Sequence, residues 1–139
     1  MPAHPEKNND HAASSVFIVD PDDALARRLS ELLSAIGAQV RVFPSAAAAL
    51  AAATPAPACV ISEVRLPDMS GIELIDALRN RGVHSPVILL AAESDVATAV
   101  KAMRAGALDF IEKPHVERLL AWHVGRLLEP AAPGTQRGD

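Results

Sequence analysis

Asp20, Glu63 and Lys113 each stand at or just past the end of a strand-like stretch: Val16–Val19, Cys59–Ser62 and Leu108–Ile111. An apolar run of that length, buried on both faces, is the pattern of a parallel strand. In an open α/β sheet, ligands and chemistry collect at the carboxyl edge of the strands. Two acids and a lysine meeting there can clamp a cation, neutralise one another, or prepare a nucleophilic carboxylate. They can equally form a satisfied polar cluster with no chemistry, because strand ends are where charges belong. Spacing alone does not choose among these; the choice depends on the elements that position the three groups.

After Val16–Asp20, Pro21 stops the strand, and Asp22 and Asp23 suit a helix start, where carboxylates favour the positive dipole end. Leu25, Leu29, Leu32, Leu33 and Ile36 continue that helix at helical spacing, and Gly37 ends it. Ala38–Phe43 reads as a second strand, Ser45–Ala53 as an Ala-rich helix and 54–57 as a Pro-punctuated loop. The Cys59–Glu63 strand breaks at Pro67 and Gly71. A helix follows through Ile72, Leu74, Ile75 and Leu78 to about Gly82, then a strand over Pro86–Leu90. Asp95 caps a fourth helix through Val96, Val100 and Met103, closed by Gly106. Leu108–Ile111 is the fifth strand and Val116–Leu128 the last helix. Five strands alternating with five helices predict a doubly wound parallel sheet, covered on both faces, with right-handed crossovers.

The 139 residues suffice for one domain with a core. Half are apolar but only 3% aromatic, so the core is aliphatic. A net charge of −4 leaves no basic footprint for nucleic acid. One cysteine, Cys59, allows no intramolecular disulfide and suits a reducing compartment. Residues 1–15 read as a disordered arm without the apolar stretch of a signal peptide, and 129–139 as a flexible tail. No apolar run approaches the roughly 20 residues that span a bilayer. The expected boundaries are therefore arm 1–15, domain 16–128 and tail 129–139.

Four stretches together resemble the receiver domain of bacterial two-component response regulators, of the nitrogen-fixation-regulator type. They are Val16–Asp20, Leu66-Pro67-Asp68-Met69-Ser70-Gly71, the segment from Asp95 to Ala107, and Asp109-Phe110-Ile111-Glu112-Lys113-Pro114. The resemblance spans about residues 16–128; each motif alone is weak and the set is specific. It implies a flavodoxin-like (βα)5 fold with strand order 2-1-3-4-5, an order that pattern alone does not fix. It also implies a bacterial cytoplasmic origin as an aspartate-phosphorylated switch, not an enzyme in its own right.

Carried over position by position, the resemblance exposes departures. A working receiver has two adjacent acids after the first strand; here they are Asp20 and Pro21. The aspartate nucleophile is replaced by Glu63, and the Ser or Thr ending the fourth strand by Ala91. The switch aromatic, Phe110, and the lysine preceding a cis-proline, Lys113 and Pro114, are retained. Mg²⁺ demands near-octahedral oxygen ligands, and proline supplies none, so metal binding is expected to be weak or lost and no cofactor is assigned. Glutamate moves the carboxylate by about 1.5 Å, where a 1 Å error at a reacting centre costs about 10²-fold. Ala91 cannot donate to a phosphoryl oxygen.

These losses predict an atypical receiver that signals by binding. Glu63 then either mimics the charged state through Lys113, in part, since a phosphoryl group carries more charge than a carboxylate, or fills a retired pocket. Two alternatives differ in class: slow phosphotransfer onto Glu63, Asp22 or Asp68 by a histidine kinase, and a vacated pocket between Pro21, Glu63 and Ala91 that holds a small ligand. The partners implied are proteins: a kinase, an output domain or another regulator. A homodimer through the face from the fourth helix to the fifth is a further expectation. There Val100, Lys101 and Arg104, with Asp109 and Glu112 nearby, mix charge with apolar residues. Neither nucleic acid nor membrane is expected to bind directly. The five histidines lack metal spacing, Cys59 reads as a small core residue, and Trp122 as packing or an interface anchor.

Overall fold

In the computed structural model, residues 14–93, 95–113 and 116–128 are described. The expected tail and residues 1–13 of the expected arm lie outside them, while Ser15, which the sequence reading placed in the arm, is the first residue of the first strand. The elements are β1 (Ser15–Val19), α1 (Asp23–Ala35), β2 (Gln39–Phe43), α2 (Ala46–Ala51), β3 (Cys59–Glu63), α3 (Gly71–Asn80), β4 (Val87–Ala91), α4 (Val96–Arg104), β5 (Asp109–Glu112) and α5 (Glu117–Leu128). All strand pairs are parallel, in the order β2-β1-β3-β4-β5. The order is the one the resemblance implied.

Element ends differ from expectation by one or two residues, for local reasons. Asp20 falls just beyond β1. Its N–H still donates to Phe43 O at 3.0 Å, and Pro21, lacking an N–H, ends the ladder. Pro86 gives its carbonyl to Val60 N but cannot donate, so β4 starts at Val87. Side-chain caps fix the starts of four helices: Asp22 for α1, Ser45 for α2, Asp95 for α4, and Ser70 with Glu73 in a reciprocal capping box for α3. Gly37 and Gly106 leave α1 and α4 with φ near +104° and +103°, a region open to glycine and costly for other residues.

The sheet separates two aliphatic layers. One is built on Val16, Ile18, Ile61, Ile88 and Leu90, covered by α1 and α5. The other is built on Phe17, Val19, Val60, Val87 and Leu89, covered by α2, α3 and α4. Alternate residues of β1, β3 and β4 therefore face opposite layers, and burying both faces makes these strands continuous apolar runs. The helices are not held equally. α1 buries Leu25, Ala26, Leu29 and Leu33, whereas α4 buries Ala102 alone and turns Val96, Val100 and Met103 outward.

Candidate functional site: an acid cluster at the carboxyl edge

Sheet register assembles the cluster. Val19 pairs with Ser62, so one step further along both strands Asp20 comes beside Glu63. Ala91 pairs with Glu112, and Lys113 follows at once, its N–H donating to Ala91 O at 2.8 Å. Lys113 Nζ then reaches both acids, pairing with Glu63 Oε1 and with Asp20 Oδ2, the latter at 3.1 Å. The remaining oxygens are also engaged: Asp20 Oδ1 accepts from Asp22 N at 2.8 Å, and Glu63 Oε2 from Arg65 N at 3.2 Å. All four carboxylate oxygens are thus satisfied within the chain, and the Asp20 and Glu63 side chains are only 2% and 9% exposed.

Burial pushes the Asp20 carboxyl above its ordinary value, against the opposing pull of the Asp22 N–H and Lys113. For Lys113 burial acts downward, but the hydrogen bonds to Glu63 and Asp20 outweigh it, and the ammonium is held above its usual range. Two acids sharing one cation leave the cluster with a net negative charge.

Gly71 governs how this corner closes. A Cβ there would stand 2.6 Å from Glu63 O, 2.9 Å from Leu89 Cδ2 and 3.2 Å from Ser62 Oγ. Gly71 N donates to Val64 O at 2.7 Å, and the buried Ser62 hydroxyl donates to Glu63 O at 2.9 Å. The sequence marks Gly71 as a turn residue; its actual constraint is this close approach. Ser62 carried no sequence signal, since an isolated serine in an apolar run has no pattern.

The other acids weighed as phosphate acceptors serve as caps. Asp22 Oδ1 accepts from Leu25 N at 3.1 Å and does not turn back into the cluster. Asp68 reaches across to the start of α2, accepting from Ala47 N at 2.8 Å and Ala46 N at 3.1 Å. Those two bonds hold its carboxyl below the usual range.

Pro21 is exposed, and Ala91 is buried at the end of β4. Beside the cluster opens a cleft of about 420 Å³ lined by Glu63, Arg65, Ala91, Ala92, Asp95 and Thr98 among others. It includes Glu63 and Ala91 but not Pro21, so the space lies on the α4 side of the sheet edge, away from where the small-ligand alternative put it. Phe110 is half-buried and packs on the layer beneath α2, α3 and α4. Pro114 and His115 lie outside the described residues.

On the far flank, Val100 is 43% exposed, and Lys101 and Arg104 are exposed. Asp109 is half-buried and committed: Oδ2 lies 2.7 Å from His123 Nε2, and Oδ1 accepts from Phe110 N at 2.7 Å. The sequence reading grouped Asp109 with the neighbouring basic residues and missed His123, because β5 and α5 meet only in the fold. Trp122 is exposed with the Arg126 guanidinium 5.3 Å from its ring centre. Cys59 is buried and its thiol is pushed up to about 12 by desolvation. Among the described residues, no three His, Cys, Asp or Glu side chains converge as a metal cage, and no helix is long and apolar enough to cross a membrane.

Residues 16–124 match the response regulator receiver domain family. The chain is 44% identical over 100 residues to the transcriptional regulatory protein FixJ of Azorhizobium caulinodans, which covers 71% of this chain and 47% of that protein. It is 41% identical over 105 residues to the response regulator protein TmoT of Ectopseudomonas mendocina, covering 75% and 48%. The chain thus spans about half the length of these curated relatives. Among solved structures it resembles the crystal structure of FixJ-N, with a TM-score of 0.73 and 35% identity, covering 85% of this chain and 95% of that one. It also resembles the BeF3-activated DrrB receiver domain, with a TM-score of 0.75 and 31% identity, covering 84% and 97%.

Proposed function

We propose, from the premise that this chain belongs to the response regulator receiver domain family of two-component signalling, that it is an atypical member that works by binding proteins without being phosphorylated. The observation that carries this reading is the saturated cluster. Every oxygen of Asp20 and Glu63 has a partner inside the protein, and Lys113 sits between the two acids. A carboxylate so engaged must lose a hydrogen bond and its counter-ion before it can attack phosphorus. Buried charge pairs resist such loss, since removing one partner strands the other.

The donor set fits Mg²⁺ poorly. Pro21 has no carboxylate, and the two acids that remain share a lysine ammonium that occupies the space between them. Ala91 offers no hydroxyl beside Lys113, so the hydrogen bond that would draw this strand end toward a phosphoryl oxygen is missing. What the site supplies is a fixed negative charge held against Lys113. It resembles a phosphorylated aspartate in sign and falls short of it in charge and acceptor count.

In this reading the signal is carried by the chain's surface. The partner is a histidine kinase, an output domain or another regulator in the bacterial cytoplasm, and the route to transcription runs through that partner or through further sequence. The flank formed by α4, β5 and α5 is the candidate contact, because Val96, Val100, Met103 and Trp122 are exposed there.

The test is incubation with acetyl phosphate and Mg²⁺, followed by intact mass. An unchanged mass is expected. A stoichiometric adduct labile to hydroxylamine would overturn the reading. The triple change Pro21→Asp, Glu63→Asp, Ala91→Thr is expected to gain that adduct. The single change Glu63→Asp is expected not to, because the second acid and the hydroxyl are still absent.

A further inference from the structure

The edge of the sheet formed by β2 is open. β2 pairs only with β1, and Gln39, Arg41 and Val42 are exposed along it. Its side chains alternate: Phe43 joins the layer beneath α2, α3 and α4, and Val40 packs on the layer beneath α1 and α5. The backbone alternates too. Phe43 O accepts from Asp20 N, so the N–H and C=O groups of Phe43, Arg41 and Gln39 face β1, and those of Val40 and Val42 face outward. Val42 is 44% exposed and borders a shallow groove of about 340 Å³ whose other walls are Asp23, Ala26, Arg27, Ser30 and Glu31 of α1. On the other face the Arg41 guanidinium lies over the Phe43 and Phe17 rings, 5.1 and 5.7 Å from their centres. Among the described residues no carboxylate stands within ion-pair distance of it.

We propose that β2 is a docking edge for an extended segment of a partner protein, one that carries an acid between two apolar residues. An added strand takes up the four outward backbone groups of Val40 and Val42. In the antiparallel sense, the residues opposite Val40 and Val42 exchange hydrogen bonds with them, and the residue opposite Arg41 falls in the closer, non-hydrogen-bonded pair. Opposed side chains share a face, so the first two meet Val42 and the α1 groove, and the third meets Arg41. Apolar side chains there bury Val42. An Asp or Glu answers a cation that two rings already hold in place.

A second copy of this chain fits the edge badly. Twofold pairing centred on Arg41 sets two guanidiniums in the close pair, where like charges repel. Centred on Val42, it places Pro44, which has no N–H, opposite Val40. Centred on Val40, it calls on the Ala38 N–H, already given to Leu33 O at 3.0 Å. Arg41 thus guards the edge against self-pairing and selects the acid of a different partner. The inference goes beyond the binding role proposed above and does not rest on it, since a phosphorylated chain would present the same edge.

The experiment titrates the isotope-labelled full chain with the peptide Gly-Ser-Thr-Val-Glu-Val-Thr-Ser-Gly, and with the same peptide carrying Lys for Glu, and follows the backbone amide resonances. For the acidic peptide, saturable shifts confined to β2 and the facing turns of α1 are expected, with slowed hydrogen exchange at the Val40 and Val42 amides. The lysine peptide is expected to bind at least tenfold more weakly. Arg41→Glu is expected to invert that preference. Should that variant fail to fold, the two peptides on the wild type still decide the matter. A wild type that binds neither peptide, or both equally, overturns the inference, and so do shifts centred on another face. A folded Arg41→Glu that still prefers the acidic peptide overturns it too, as does a wild type that dimerises through the β2 amides.

Discussion

At the carboxyl edge of the sheet, Lys113 lies between two carboxylates that are nearly out of water. On the flank, Lys101 and Arg104 stand in solvent beside Val100 and Met103. Both regions combine acids, bases and apolar residues, and burial makes the difference. In the cluster each charge is desolvated, so each must be answered within the chain, and the answer fixes the geometry of β1, β3 and the end of β5. On the flank water answers the bases, which add little to stability and remain available for a partner. The same residue types are architecture in one place and recognition in the other.

The comparison breaks most sharply at Lys113. Lys113→Met leaves Asp20 and Glu63 buried together without a cation and should cost about 3–5 kcal/mol in urea unfolding at neutral pH. Desolvation already raises Asp20, and losing Lys113 raises it further. The folded variant then binds a proton more readily than the unfolded chain, so part of the loss should return as pH falls from 7 toward 5. In the wild type the raised Lys113 value has the opposite consequence. Its contribution is complete below the unfolded value of 10.5 and is lost as pH climbs through the higher folded value, so urea midpoints should drop only in strong alkali.

Gly71→Ala should come next. The new Cβ meets the Glu63 carbonyl at 2.6 Å, and overpacking of this kind costs about 1–3 kcal/mol. Because the clash is with the backbone of Glu63 itself, the variant should also disturb the Lys113 pairing, visible as a shifted Lys113 Nζ resonance.

Asp20→Asn should have a smaller effect. The amide oxygen can take over the bond from Asp22 N, but Nδ2 only donates and cannot replace Oδ2 toward Lys113, while one costly buried charge disappears and Glu63 keeps the cation. The two terms oppose, so a change in Tm of no more than a few degrees is expected, well below that of Lys113→Met. The flank should give the least: Val100→Ser with Met103→Ser should change stability by no more than about 0.5 kcal/mol, since both side chains are exposed. A large loss of stability would show instead that α4 is held through these residues.

Much of the fold was legible because the chain repeats two simple patterns. Val16–Val19, Cys59–Ile61 and Val87–Leu90 are buried on both faces, and uninterrupted apolar runs say so directly. The caps at Asp22, Ser70 and Asp95 lie immediately before their helices, so local sequence carries them. The acids at 20 and 63 could be suspected because each ends such a run. Asp68 could not be read as the cap of α2, since donor and acceptor are 22 residues apart. His123 and Asp109 are 14 apart and sit on different elements, so no period links them.

The sequence by itself determined the alternation of strands and helices, the aliphatic core, and the residue types at the carboxyl edge: Asp20 followed by Pro21, with Glu63, Ala91 and Lys113. These depend on period, on turn chemistry and on which side chains possess a donor, an acceptor or neither. Tertiary structure alone decided which charges meet. Sheet register brought Asp20 beside Glu63 and led Lys113 in from β5, and packing of α5 against β5 gave Asp109 to His123. Burial then set the worth of each meeting, because a charge pair owes its energy to the water it has lost, and the water is removed by neighbours distant in the chain.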